Sequence, residues 1–128
     1  MKILSSHEIR ALDDYNIKNY GIASIDLMEN AARAVADELM VLLPSSEAKV
    51  VVFAGPGNNG GDGLAIARIV ADNGYKVEVF LFNTRNSLSD DCLYNKKRLS
   101  GCKNVLLHEI TSQFDFPVLS VDDLIVDA

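Results

Sequence analysis

Residues 54–63 read Ala54-Gly55-Pro56-Gly57-Asn58-Asn59-Gly60-Gly61-Asp62-Gly63, and the interpretation of this stretch decides the fold. The apolar, β-branched run Val50-Val51-Val52-Phe53 precedes it, and Leu64-Ala65-Ile66-Ala67-Arg68-Ile69-Val70, which has helical character, follows. Strand, glycine-rich turn and helix, in that order, build an anion cradle. Backbone N–H groups at the helix N-terminus, backed by the positive end of the helix dipole, face a phosphate. Glycine suits such a turn in two ways. It reaches positive φ without strain, and its missing Cβ lets a ligand oxygen approach the backbone closely. A plain connecting turn is the alternative, but five glycines in ten residues are an entropically costly way to join a strand to a helix.

Working outward, the strand is continuously apolar, as expected for a parallel sheet covered by helices. The helix is expected from about Asp62 to Asn73, closing on Gly74, with a second strand over Lys76–Phe82. Together they form a βαβ unit, whose crossover is expected to be right-handed. Residues 83–90 are turn-rich and lead into a helix through Cys92, Leu93, Lys96 and Leu99 to Gly101. Val105–His108 reads as a third strand, 111–117 as a loop in which Phe114 and Phe116 pack, and Leu124–Ala128 as a fourth strand. Upstream, Ser5-Ser6-His7-Glu8 has capping-box spacing for a helix that Gly21 stops, with His7 on its surface. Ser24 caps a second helix that runs through Leu42 to Pro44, and its alanine-rich middle, 31–36, suits close backbone packing. Within it the polar pair Glu29-Asn30 reads as either a solvent-facing or an active-site edge. The expected class is α/β, a Rossmann-like three-layer αβα arrangement with a mainly parallel sheet.

A length of 128 residues suits one domain or part of one. The net charge of −6 argues against a nucleic-acid partner, and Lys96-Lys97-Arg98 reads as a solvated helix face. No apolar run approaches the ~20 residues needed to span a bilayer, and the N-terminus turns polar too soon for a signal peptide. Cys92 and Cys102 show no metal-site spacing, so free thiols in the cytoplasm are expected. The last strand ends at Asp127, a carboxylate at the sheet edge where α/β folds place functional groups. No covering helix follows it, so the chain is expected to be a piece, with the remainder of the domain after Ala128.

Gly55-Pro56-Gly57-Asn58-Asn59-Gly60 also fits G-x-G-x-x-G, a weak signal alone. Two details separate it from an ordinary NAD dehydrogenase. The second strand ends in Phe82-Asn83-Thr84-Arg85, with no acid for a ribose hydroxyl; Arg85 is either an exposed loop residue or a contact for a 2′-phosphate. Asp62 would repel a phosphate unless it caps the helix or accepts hydrogen bonds from ribose or another polar group. The amide oxygens of Asn58 and Asn59, with a carboxylate such as Asp127, form a hard-donor set suited to a weakly held, monovalent cation.

The run Gly55–Leu64 with Ala67-Arg68, the upstream Leu27-Met28-Glu29-Asn30-Ala31, and the terminal Val126-Asp127-Ala128 resemble the YjeF N-terminal domain family, the NAD(P)H-hydrate epimerases. Residues 5–21 resemble the family's first helix. The resemblance covers the whole chain but about the first half of the family's domain. It implies a domain that epimerises hydrated NADH and NADPH. Asn58, Asn59, Gly60, Gly61 and Asp62 would contact the substrate, and Asn59 and Asp127 would bind potassium. A C-terminal ADP/ATP-dependent dehydratase domain is frequent in such proteins, and the two N-terminal helices would offer a homodimer face. The competing expectations are a non-catalytic nucleotide-binding or scaffold domain of the same fold and an ordinary NAD(P) oxidoreductase.

Overall fold

The computed structural model describes residues 2–5, 24–45 and 47–128. The elements among them are β1 (Lys2–Leu4), α1 (Ser24–Leu42), β2 (Lys49–Ala54), α2 (Asn58–Asp72), β3 (Lys76–Phe82), α3 (Asp90–Leu99), β4 (Val105–Ile110) and β5 (Leu124–Asp127). The helix expected over 5–21, with His7, falls almost wholly outside the described residues. Five strands form one sheet in the order β1-β5-β2-β3-β4, and every pairing is parallel. The strand Lys2–Leu4 was not expected. It pairs with β5, Lys2 opposite Leu124 and Leu4 opposite Val126.

β2 lies at the centre, and Val50, Val51 and Val52 are fully buried, as an unbroken apolar run requires. Alternate residues, Val50, Val52, Ala54, Val77, Val79, Leu81, Leu124 and Val126, share one core with all three helices. α2 is the keystone of that core. It is buried from Gly60 to Ala67 and again at Ile69, Val70 and Ala71, because sheet, α1 and α3 surround it. Of the alanines of α1 expected to admit a close neighbour, Ala32 and Ala36 do so internally, in the core, whereas Ala34 is exposed. On the other face of the sheet, among the described residues, lies the segment 111–123. Its Phe114 and Phe116 pack on Phe53, Phe80 and Phe82, with Phe116 stacked on Phe53 at 5.4 Å. Pro117 and the lack of helical periodicity leave this segment without helix or strand.

Ion pairs tie the elements together. Of the pair Glu29-Asn30, Asn30 is exposed, as a solvent-facing edge would be, while Glu29 is half-buried in an ion-pair cluster. Its carboxylate joins three helices, meeting Arg68 of α2, Arg98 of α3 at 3.1 Å and Arg33 of α1 at 3.5 Å. Lys96 pairs with Glu109 at 2.5 Å, so two of the three basic residues expected on a solvated face form ion pairs, while Lys97 and Arg98 both stay exposed as expected. On the second sheet face Glu78 bridges Lys49 at 3.3 Å and His108 at 2.9 Å.

These pairs give stability a sign in pH. Partial burial alone would raise the Glu29 and Glu78 carboxyls. The hydrogen bond and charge of Arg68, with Arg98 and Arg33, outweigh it at Glu29, and His108 and Lys49 outweigh it at Glu78. At Glu109 the Lys96 and Asn83 hydrogen bonds dominate, and all three groups are held below 4.5. A carboxyl depressed on folding stabilises the native state above its unfolded pKa, and that contribution is lost as pH falls through the folded value. The urea midpoint is therefore expected to hold between about pH 7 and 5 and to fall steadily below about pH 4.5. A midpoint that stays flat to about pH 3 would show that these pairs contribute nothing.

Candidate active site

The chain steps from β2 to β3 to β4 in one direction, while β5 lies on the other side of β2. The carboxyl ends of β2 and β5 therefore flank a topological switch point, where open α/β sheets bind ligands. The glycine turn leaves β2 here, and Asp127 ends β5 opposite Phe53. Turn and strand tip are hydrogen-bonded. The Gly55 N–H donates to the Ala128 carbonyl at 2.9 Å, and the Ala128 N–H donates to the Phe53 carbonyl at 2.8 Å.

The turn departs from expectation at its helical end. α2 begins at Asn58, not near Asp62, and its N-cap is Gly57 in extended conformation, φ −92° and ψ −167°. Asp62 is thus no cap; it sits buried in the second turn. The first helical bond runs from the Gly61 N–H to the Gly57 carbonyl at 3.1 Å, which leaves the amides of Asn58, Asn59 and Gly60 without partners inside the helix. The N-cap Gly57 supplies no side-chain cap, so among the described residues these amides and the positive helix end face the carboxyl edge. Asn58 is exposed, Asn59 half-buried, and Asp127 exposed at its strand tip, while Gly60 and Gly61 are buried.

Positive φ is not what the turn asks of its glycines. Among the described glycines only Gly74, behind α2, has one. Close packing is the reason they stand here. A Cβ on Gly60 would lie 1.8 Å from the Gly55 carbonyl oxygen, and one on Gly63 would lie 2.7 Å from the Ala128 Cβ. A Cβ on Gly61 would reach 3.1 Å from the backbone of α3, whereas one on Gly57 would meet open space. α2 is thereby seated against its own turn, the start of α3 and the residue after Asp127.

The start of α3 braces the turn. Ser89 caps the helix, accepting from the Cys92 N–H at 3.1 Å, while its own N–H donates to the Pro56 carbonyl at 2.8 Å. The Cys92 thiol lies 3.8 Å from the Gly55 carbonyl, and burial pushes it up to about 11, so it serves as packing and not as a nucleophile. Sequence reasoning missed Asn83. It is 4% exposed, donates to Glu109 at 2.9 Å and accepts from the Ser87 N–H at 2.8 Å, shaping the turn that follows β3. An asparagine at a strand end, opening a polar turn, was the available signal. An open depression of about 640 Å³, lined by Lys49, Lys76, Glu78, Lys103 and Leu106 among others, lies by the strand starts, at the edge away from these residues. Among the described residues no helix is long and apolar enough to cross a membrane.

Comparison with known proteins places this geometry. Positions 24–128 match the family described as YjeF-related protein N-terminus. The chain is 41% identical over 127 residues to a protein of Limosilactobacillus reuteri named NAD(P)H-hydrate epimerase, covering 99% of this chain and 57% of that one. It is 36% identical over 130 residues to the bifunctional NAD(P)H-hydrate repair enzyme Nnr of Thermofilum pendens, covering all of this chain and 25% of the relative. The crystal structure of yeast ynu0 superposes with a TM-score of 0.57 at 30% identity, covering 84% of this chain and 47% of the yeast one. The chain thus spans little more than half the length of the single-function relative. With a uniformly parallel sheet, the α2 N-terminus beside Asp127, and a match over positions 24–128, the chain belongs to the YjeF N-terminal domain family.

Proposed function

We propose that the chain forms the glycine-turn part of an NAD(P)H-hydrate epimerase, interconverting the R and S forms of hydrated NADH and NADPH. The observation that carries this reading is the union of two features at one switch point: the α2 N-terminus and the carboxylate of Asp127, linked through the Gly55–Ala128 bond. The names of the relatives agree with it. Asn58, Asn59, Gly60, Gly61 and Asp62 line the dinucleotide in this proposal, with the amides of the first helical turn toward its phosphates. The same edge suits potassium. An asparagine amide oxygen, a carboxylate and nearby backbone carbonyls are hard oxygen donors carrying little charge. Asn59 and Asp127 would hold it, and the ion would supply a positive charge that orients substrate oxygens.

The epimeric carbon carries a hydroxyl and adjoins the ring nitrogen. Its C–O bond breaks as the nitrogen lone pair forms a C=N bond, and the hydroxide leaves as water with a proton from an acid. Water then adds to the other face of the planar iminium, returning the proton. A carboxylate near the ring stabilises the cation and handles the proton, a role for which Asp127 and Asp62 are this chain's candidates. A second catalytic domain, an ADP/ATP-dependent dehydratase as in bifunctional proteins, belongs to the same proposal.

The test is Asp127→Asn in the full-length protein, following epimer interconversion by NMR and ADP-ribose binding by calorimetry. Interconversion is expected to slow at least about tenfold with binding little changed. Unaltered turnover with retained binding would remove Asp127 from the chemistry, and a wild-type protein that never interconverts the epimers would overturn the function itself.

A further inference from the structure

Resting on that reading, we infer that Arg85 is a specificity residue, contacting the 2′-phosphate that distinguishes the NADPH hydrate from the NADH hydrate. In dinucleotide folds the adenosine ribose reaches the tip of the strand after the glycine turn, and a side chain about 20 residues on meets its 2′ position. Here that tip is the end of β3. Its loop joins the glycine turn directly, through the Ser89 N–H and the Pro56 carbonyl at 2.8 Å. The residue placed to accept from a ribose hydroxyl is Asn83, and its side chain is spent internally on Glu109 and Ser87.

The acid nearest that tip is neutralised as well. Glu109, at the end of β4, is bound by Lys96 at 2.5 Å and by Asn83. Asp90 and Asp91 lie in the first turn of α3, where carboxylates complement the helix dipole. What remains is Arg85. The Asn86 N–H donates to the Asn83 carbonyl at 3.2 Å, closing a turn whose last residue takes φ 50°. Thr84 and Arg85 form the middle of that turn, and both are exposed. Arg85 forms no ion pair among the described residues, so its guanidinium is available at low cost in broken contacts. A planar fork of five donors matches a phosphate monoester, and Glu109, the carboxylate hydrogen-bonded to Asn83 at this tip, is paired with Lys96.

The experiment compares 2′-phospho-ADP-ribose with ADP-ribose by calorimetry, on the full-length wild type and on Arg85→Ala and Arg85→Lys. The wild type is expected to prefer the phosphorylated probe about tenfold, a preference that Arg85→Ala abolishes without shifting Tm and that Arg85→Lys keeps in part. Equal binding of both probes to the wild type, or an alanine variant that weakens both alike, would overturn the assignment while leaving the epimerase reading intact. Failure of both probes to bind would overturn both readings.

Discussion

Replacing Gly60 with alanine is expected to cost about 3 kcal/mol and lower Tm by roughly 10 °C, the largest effect of any single methyl group at this site. The added Cβ would lie 1.8 Å from the Gly55 carbonyl oxygen and 2.7 Å from its carbon. These are backbone atoms, and the Gly55 N–H is itself bonded to Ala128, so no flexible side chain can yield. Either the first turn of α2 unwinds or the Gly55–Ala128 bond breaks, and both separate the turn from the tip of β5. Gly57→Ala is the control. Nothing lies within 4 Å of its added Cβ and its φ of −92° is open to any residue, so stability should stay within about 0.5 kcal/mol. Thermal unfolding of the two variants checks the claim: equal Tm values would mean that the turn is not the rigid seat described.

The second large effect is expected at Glu29. Truncation to alanine removes the shared partner of Arg33, Arg68 and Arg98. The Arg68 side chain is only 11% exposed, its Nε has no hydrogen-bond partner among the described residues, and Asp72 at 3.7 Å would be its remaining counter-charge. Breaking a buried pair from one side costs about 3–5 kcal/mol; the partly exposed Glu29 carboxylate brings the expectation down to about 2. Glu29→Gln should recover part of that loss by keeping a hydrogen-bond acceptor for Arg68. The loss should also shrink as pH falls below about 4.5, since the wild type then surrenders the same contribution. Urea unfolding at pH 7 and pH 4 measures both. An alanine variant as stable as the wild type at pH 7 would mean that the three helices are held by apolar packing alone.

What could be read in advance follows physical lines. β2, β3 and the glycine turn were legible because continuous apolar runs flank a cluster of glycines, and Asp127 was legible as the polar end of such a run. The start of α2 was not. Two asparagines and two glycines are poor helix formers, so local propensity placed the boundary near Asp62. Packing overrides it: without side chains at Gly60 and Gly61, the helix extends one turn back against Gly55 and α3. β1 was hidden because three residues, one of them lysine, carry no periodicity; its pairing with β5 makes it a strand. The role of Glu29 was out of reach because two of its partners lie 39 and 69 residues away in sequence. Of the site, the turn and the strand tip were legible as separate pieces, and their hydrogen-bonded junction came only from the sheet order.

That order also bears on synthesis. β1 leaves the ribosome first, yet the described neighbour it pairs with is β5, more than a hundred residues later. The part of the sheet built from consecutive strands, β2 to β4, can assemble while translation proceeds; the N-terminal strand must wait. Until Leu124–Asp127 emerges, β2 presents a bare, strongly apolar rim, the kind of surface that recruits a neighbouring nascent chain.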